Sequence, residues 1–155
     1  MKRHEAKKAR PVRMFVSYSH ENATWCKRLL PVLRVKANVD TLQPWHDTEL
    51  KAGDRWDKEI RAELERMDIF LCLVSYQFLA SGYIQNVELP RAEARHKKRE
   101  IEVVPVVLYP MDLESDCEFL STLNPYPDGV RAGEILKRRA TGTTPSIRLV
   151  MALSR

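Results

Sequence analysis

Glycine is scarce in this chain, with five residues among 155. The sequence contains neither the GxGxxG fingerprint of dinucleotide-binding folds nor a Walker A loop. Both motifs need glycines, because the backbone must approach a phosphate group closely. We therefore expect neither a classical dinucleotide-binding fold nor a P-loop nucleotidase.

Cysteine is also sparse, and the three residues present are Cys26, Cys72 and Cys117. An odd count without a CxxC pair argues against a disulfide framework and against a structural zinc site. His20 and His46 have no third ligand at a suitable spacing, so no metal site is expected. A reducing, cytoplasmic setting fits this cysteine usage.

Long apolar runs are missing, and none approaches the roughly 18 residues that a membrane span needs. The basic N-terminus is not followed by an apolar segment of the kind that a signal peptide requires. We therefore expect no association with membranes.

Acidic residues are fewer than basic ones, 21 against 26, for a net charge of +5. Most of the excess lies in residues 1–10, which we predict to form a flexible basic arm before a single domain over 11–155. A short basic arm is usually solvated, so no nucleic-acid partner is expected. Residues 40–68 are acidic and residues 91–99 basic. These patches either favour self-association or are simply solvated.

Strand-like and helix-like segments alternate along the chain, which is typical of a doubly wound parallel sheet. A stripe of apolar residues follows Asp54 at helical spacing, while Ile69–Val74 is a continuous apolar run typical of a strand buried on both faces. Residues 146–153 fit either a last strand or a last helix. The other predicted strands are 12–17, 39–45 and 101–108, and the other predicted helices are 21–36 and 84–99.

Ligands of such sheets bind beyond the carboxyl ends of the strands. Three segments meet there in the predicted topology, namely residues 17–20, 45–53 and 75–88. Together they supply aromatic faces, hydroxyls and carboxylates, which suit a nucleotide or ribose site.

Five segments, in this order and spacing, resemble a bacterial TIR (Toll/interleukin-1 receptor) domain. They are Phe15–His20, Trp45–Asp47, Leu50–Trp56 with its Gly53, Ile69–Ser75, and Ser81–Leu89 with its Tyr83 and Glu88. The likeness covers about residues 12–113 and is poor beyond about 130. It implies a flavodoxin-like three-layer α/β sandwich around a central sheet of five parallel strands.

The resemblance also implies an activity, since many TIR domains cleave NAD between nicotinamide and ribose. The family's catalytic glutamate matches Glu88. Positive charge develops on the ribose as nicotinamide leaves, and a carboxylate beside the ribose would stabilise it. NAD would be the substrate, and no further cofactor is implied. Alternatively, Glu88 is a surface glutamate favoured by the dipole at a helix start.

Three side chains that follow β-strands are further candidates for contacts with NAD. Ser17 and Tyr18 either line the nicotinamide pocket or cap a loop. Ser75 either supports Glu88 or caps the turn that follows it.

Three more candidates lie at the same predicted edge. Trp45 either stacks on a ring of NAD or covers the sheet edge, and Asp47 either contacts a ribose or orders its own loop. Tyr83 either flanks the pocket or packs in the core.

Two other functions compete with an NAD glycohydrolase or ADP-ribosyl cyclase of bacterial immune defence or signalling. That enzyme would be activated by self-association, with the 46–53 loop docking on a second copy, and head-to-tail contacts could extend into a filament. The alternatives are a non-enzymatic adaptor that binds other TIR domains, and a nucleotide sensor without turnover.

Overall fold

The computed structural model describes residues 10–36, 42–47, 54–123 and 125. Strands and helices alternate within these ranges. The strands are β1 Val12–Tyr18, β2 Leu42–Trp45, β3 Ile69–Val74 and β4 Glu102–Val107. The helices are α1 Ala23–Lys36, α2 Asp54–Arg66, α3 Tyr76–Ala80, α4 Leu89–Lys97, α5 Leu113–Asp116 and α6 Glu118–Ser121. A 3₁₀ turn at His20–Asn22 precedes α1, and a π-helical turn at Ile84–Glu88 precedes α4.

The four strands form one parallel sheet in the order β2-β1-β3-β4. Phe15 of β1 lies opposite Trp45 on one side and Phe70 on the other. This arrangement confirms the predicted α/β fold with a parallel sheet flanked by helices. The described residues contain four strands, so the five-stranded sheet stays a prediction. The element predicted over 146–153 lies outside the described residues.

Strand β3 occupies an inner position of the sheet, and all six of its residues are buried. Its bounds match the apolar run Ile69–Val74 that the sequence shows. A strand without a polar face can be stable only if both of its faces are covered, and here they are.

Two apolar layers cover the two faces of the sheet. On one face, Val16 and Tyr18 of β1 pack with Cys26 and Leu33 of α1. On the other, Phe15 and Phe70 pack with Ile60 and Leu64 of α2 and with Met67, which directly follows that helix. Ile60, Leu64 and Met67 belong to the apolar stripe that the sequence predicts. Because successive strand residues point to opposite faces, Ser17 shares the α2 face with Phe15.

Prolines lie where the fold tolerates a missing N–H group. Pro44 is in β2 and Pro105 in β4, the two outer strands of the sheet formed by the described residues. Proline suits such strands because it cannot donate to a strand pair. Pro31 lies inside α1, so the helix predicted over 21–36 is present despite its proline, although it begins at Ala23, after the 3₁₀ turn.

Some of the opposed charges pair within the chain. Arg91 of the basic segment binds Glu65 of the acidic segment, with Nε 2.5 Å from Oε1. Arg10, the last residue of the predicted arm, donates from two guanidinium nitrogens to Asp68, each at 2.7 Å. Residues 1–9 lie outside the described ranges, so the flexibility of the arm stays a prediction.

Candidate functional site

Glu88 and Ser17 form a buried polar pair near the carboxyl end of β1. Glu88 is 6% exposed and Ser17 is 2% exposed. The Ser17 hydroxyl donates a short hydrogen bond to Oε2 of Glu88. Glu88 is therefore not the surface glutamate of the alternative interpretation. A carboxyl group this buried usually has a specific partner.

Glu88 is carried by a π-helical turn, Ile84–Glu88. The Leu89 N–H bonds the carbonyl of Ile84, five residues back instead of four. Pro90 follows directly and has no N–H, and its ring crowds the carbonyl four positions before it. Such wide turns are rare and frequently mark functional sites. The sequence predicts only a helix over 84–99, in which Pro90 is the one signal of a break.

The environment of Glu88 favours the protonated acid more than water does. Burial raises the pKa of the carboxyl group to about 7, against a contribution from the Ser17 hydrogen bond that lowers it. Negative charge on Asp47 adds to the rise, and His20 opposes it. The group therefore titrates near neutral pH, as acid–base and electrostatic catalysts commonly do.

Asp47 and His20 form a second polar pair at this edge of the sheet. Oδ2 of Asp47 lies 3.0 Å from Nε2 of His20. The Asp47 side chain is 14% exposed and that of His20 is 72% exposed. Asp47 follows β2 and His20 follows β1, and these strands are neighbours. Their contact depends on two separate loops, so it could not be predicted from the sequence, although both residues stand out there.

Tyr18 points to the opposite face of the sheet from Ser17. It is buried against α1, with its hydroxyl near Cys26 and Asp47. Burial raises the pKa of that hydroxyl, and the two neighbours raise it further. Burial also raises the pKa of the Cys26 thiol to about 11. Both groups are therefore neutral at physiological pH.

Ser75 caps helix α3, because its Oγ accepts a hydrogen bond of 3.0 Å from the Phe78 N–H. Its hydroxyl also donates to Oδ1 of Asn22 at 2.6 Å. Ser75 and Asn22 are both buried. The bonds thus tie the end of β3 to the turn before α1. Of the two roles that the sequence allows for Ser75, the geometry matches the cap. Asn22 is absent from the sequence-based candidates.

Tyr83 stands immediately before the π-helical turn and is anchored to α2. Its hydroxyl donates to Oδ1 of Asp57 at 2.7 Å, and its ring lies 4.3 Å from that of Trp56 between centroids. Burial raises the pKa of the Tyr83 hydroxyl, and the bond to Asp57 raises it further. Tyr83 therefore links the segment that carries Glu88 to a neighbouring helix.

Trp45 is paired with Phe15 and therefore lies closer to the amino end of β1 than the Ser17–Glu88 pair. Its ring is 4.9 Å from that of Phe15, two residues before Ser17 on β1. It also lines a groove of about 300 Å³ between β2 and α2, together with Arg13, Glu63 and Arg66. Neither Ser17 nor Glu88 lines this groove. Stacking of Trp45 on NAD stays a prediction.

The described residues contain neither a cluster of metal-ligating side chains nor a helix that could span a membrane. No group of three or more His, Cys, Asp or Glu side chains in those ranges is arranged to hold a metal ion. Likewise, none of the helices described is both long and apolar enough to cross a membrane. The three cysteines are free thiols.

The chain is similar to proteins of one family. The family model described as "TIR domain" matches residues 14–131. Protein y4lF of Sinorhizobium fredii is 33% identical over 99 residues, which make up 64% of this chain and 31% of that protein. The matched region thus spans about a third of that relative's length.

A solved structure has the same fold. The TIR domains of the activated Roq1 resistosome, which directly recognises the pathogen effector XopQ, match this chain with a TM-score of 0.55 at 18% identity. The match covers 92% of this chain and 81% of that one. At this identity the likeness shows the arrangement of strands and helices and nothing finer.

Proposed function

The chain belongs to the TIR domain family, and from this premise we propose that it cleaves NAD between nicotinamide and ribose, with Glu88 as the catalytic carboxylate. One observation carries the proposal. Glu88 is a buried carboxyl group at the ligand-binding edge of the parallel sheet, held by Ser17 in the segment that matches the family's catalytic motif. Burial of a carboxyl group costs free energy, and binding of a ligand would explain why the fold retains one here.

The chemistry needs one well-placed carboxylate. The electron pair of the C–N bond leaves with nicotinamide, which departs as a neutral molecule from a cationic pyridinium. Positive charge then develops on C1′ and the ring oxygen of the ribose. A carboxylate in a poorly hydrated site stabilises this charge more strongly than one in water. Acid assistance to the leaving group is not required.

A pKa near 7 is compatible with this role. Burial makes the site of Glu88 a poor place for a negative charge, and cationic nicotinamide riboside brings the opposite charge beside it. Binding of NAD would therefore favour the ionised form of Glu88. The energetic cost of the buried carboxyl group would be recovered in the transition state, where the positive charge is on the ribose.

We further propose that association of chains switches the activity on, and that the protein acts in the cytoplasm in bacterial defence or signalling. The support is the family and the free thiols. The Roq1 TIR domains are part of a resistosome, which is an assembly, and we propose that copies of this chain associate as well. Only His46 and Asp47 of the predicted docking loop are described.

The test is to incubate concentrated protein with NAD, with and without a crowding agent, and to separate the products by chromatography. Glu88→Gln is the matched control, because glutamine has the same shape and cannot ionise. Release of nicotinamide by the natural protein but not by the variant supports the proposal. Equal behaviour of both proteins, together with binding to other TIR domains, would favour the adaptor.

A further inference from the structure

Asp47 and His20 have the geometry of an oriented base. A carboxylate oxygen only accepts hydrogen bonds, so the nitrogen 3.0 Å from it, Nε2 of His20, carries the hydrogen. In a neutral imidazole the other nitrogen, Nδ1, then has a free lone pair. A carboxylate that fixes the tautomer of a histidine in this way also stabilises the imidazolium formed when Nδ1 takes a proton.

The exposure of the two side chains fits His20 as the base and Asp47 as the group that orients it. Asp47 is largely covered by protein, whereas most of the His20 ring is open to solvent. The open ring is available to a bound molecule, and the covered carboxylate supplies a stable support. Ser17 and His20 are three residues apart at the carboxyl end of β1, so this pair and the Glu88 site share one edge of the sheet.

We propose that His20, oriented by Asp47, is the general base that activates water against the ribosyl cation, an inference that rests on the proposed cleavage of NAD. The water oxygen forms a bond to C1′, and the proton it loses moves to Nδ1 of His20. The products are ADP-ribose and an imidazolium paired with Asp47. The proton then passes to solvent, which restores the base.

This assignment favours hydrolysis over closure onto a ring nitrogen of the adenine. Water must lose a proton when it attacks, so a base accelerates that step. A ring nitrogen that attacks with a lone pair, as in closure onto the adenine, has no proton to lose. A protein with a base at this position is thus expected to produce linear ADP-ribose in preference to a product closed through the adenine ring.

The experiment compares two nucleophiles in the same reaction. Pyridine attacks C1′ through its lone pair and requires no base, so its exchange product reports formation of the ribosyl cation alone. We expect His20→Gln to lower ADP-ribose formation by about a hundredfold, a typical effect of a lost general base. The pyridine-exchange product should persist, and added imidazole should restore ADP-ribose formation in His20→Ala.

His96→Gln is the matched control, since Nδ1 of His96 lies 3.2 Å from the carbonyl of Ile101, before β4 at the opposite edge of the sheet. Its product ratio should equal that of the natural protein. An unchanged ratio in His20→Gln, or a parallel loss of both products, would overturn the role of His20 while leaving NAD cleavage standing. If the natural protein releases no nicotinamide, the proposed function fails and this inference fails with it.

Discussion

Ser17 and Glu88 are separated by 71 positions in the chain and share one buried hydrogen bond. The bond links the first strand of the sheet to the π-helical turn before α4. It opposes the effect of burial, because a donor to a carboxylate stabilises the charged form. The protonation state of Glu88 therefore depends on a residue that the sequence places far away.

The pH dependence of NAD cleavage should follow Glu88. The ionised form stabilises the ribosyl cation, and its pKa lies at about 7 in the free protein. We expect kcat/KM to rise with pH, by about tenfold per unit below this pKa, and to level off above it. Measured initial rates between pH 5 and 9 would test this, and a flat profile would contradict it.

Ser17→Ala should move the same profile to higher pH. The variant removes the bond that lowers the Glu88 pKa, while burial, which raises it, remains. Activity at pH 6 should fall more than activity at pH 9. A loss that is equal at all pH values would show that Ser17 acts on the shape of the site and not on the charge of Glu88.

Glu88→Gln should stabilise the protein at pH 8. The folded-state pKa of Glu88 lies above its unfolded value of 4.5, so the native state binds the extra proton between these limits. Stability is therefore highest below about 4.5 and falls as pH rises towards about 7, by an amount on the order of 3 kcal/mol. The neutral variant avoids this loss.

Urea unfolding at pH 5 and pH 8 measures the effect. The natural protein should lose more stability than Glu88→Gln between these two values. Glu102→Gln is a suitable control, because Glu102 is an exposed glutamate in β4. If the stability of the natural protein instead rises relative to that of Glu88→Gln between pH 5 and pH 8, ionisation of Glu88 carries no cost in the folded protein.

The elements that sequence patterns predict best are those with a single physical explanation. Six consecutive apolar residues require cover on both faces, and Ile69–Val74 is a strand with those bounds. A stripe at helical spacing requires one covered face, and α2 buries Ile60 and Leu64 accordingly. In both cases the apolar pattern within one segment predicts which of its faces are buried, whichever elements cover them.

The site is harder to predict because its contacts join distant segments. Resemblance to a family selects Glu88 and Asp47, but the Asp47–His20 pair depends on how two loops meet beyond β1 and β2. The π-helical turn at Ile84–Glu88 differs from an α-helix by one residue in a single turn. Periodicity over five residues cannot separate the two spacings.

Ser75→Ala should destabilise the fold without changing the charge of the site. The variant removes the cap of α3, worth about 1 kcal/mol. It also leaves the buried Oδ1 of Asn22 without its donor, at a cost of about 1–3 kcal/mol. Chemical denaturation should thus show a loss of about 2–4 kcal/mol. Ser121→Ala, which removes an exposed bond to the Glu118 carbonyl, should lose less than about 0.5 kcal/mol.

Tyr83→Phe should lower activity while keeping the fold. Phenylalanine retains the ring that packs on Trp56 but lacks the hydroxyl that binds Asp57. The π-helical turn then loses its polar link to α2, and Glu88 is held less firmly. We expect kcat/KM to fall by about tenfold, because a small displacement of a catalytic group commonly lowers the rate. The thermal midpoint should fall slightly.

A double-mutant cycle shows whether the Tyr83–Asp57 bond is responsible. Asp57→Asn weakens the acceptor, so its effect and that of Tyr83→Phe should overlap and not add. Asp57 also binds Arg61, with Nε 2.9 Å from Oδ2, and Arg61→Gln serves as the control for that contact. If the two variants add fully, Tyr83 and Asp57 act independently and the bond does not position Glu88. If Arg61→Gln reproduces the loss, the charge of α2 and not the tyrosine hydroxyl controls the position of the turn.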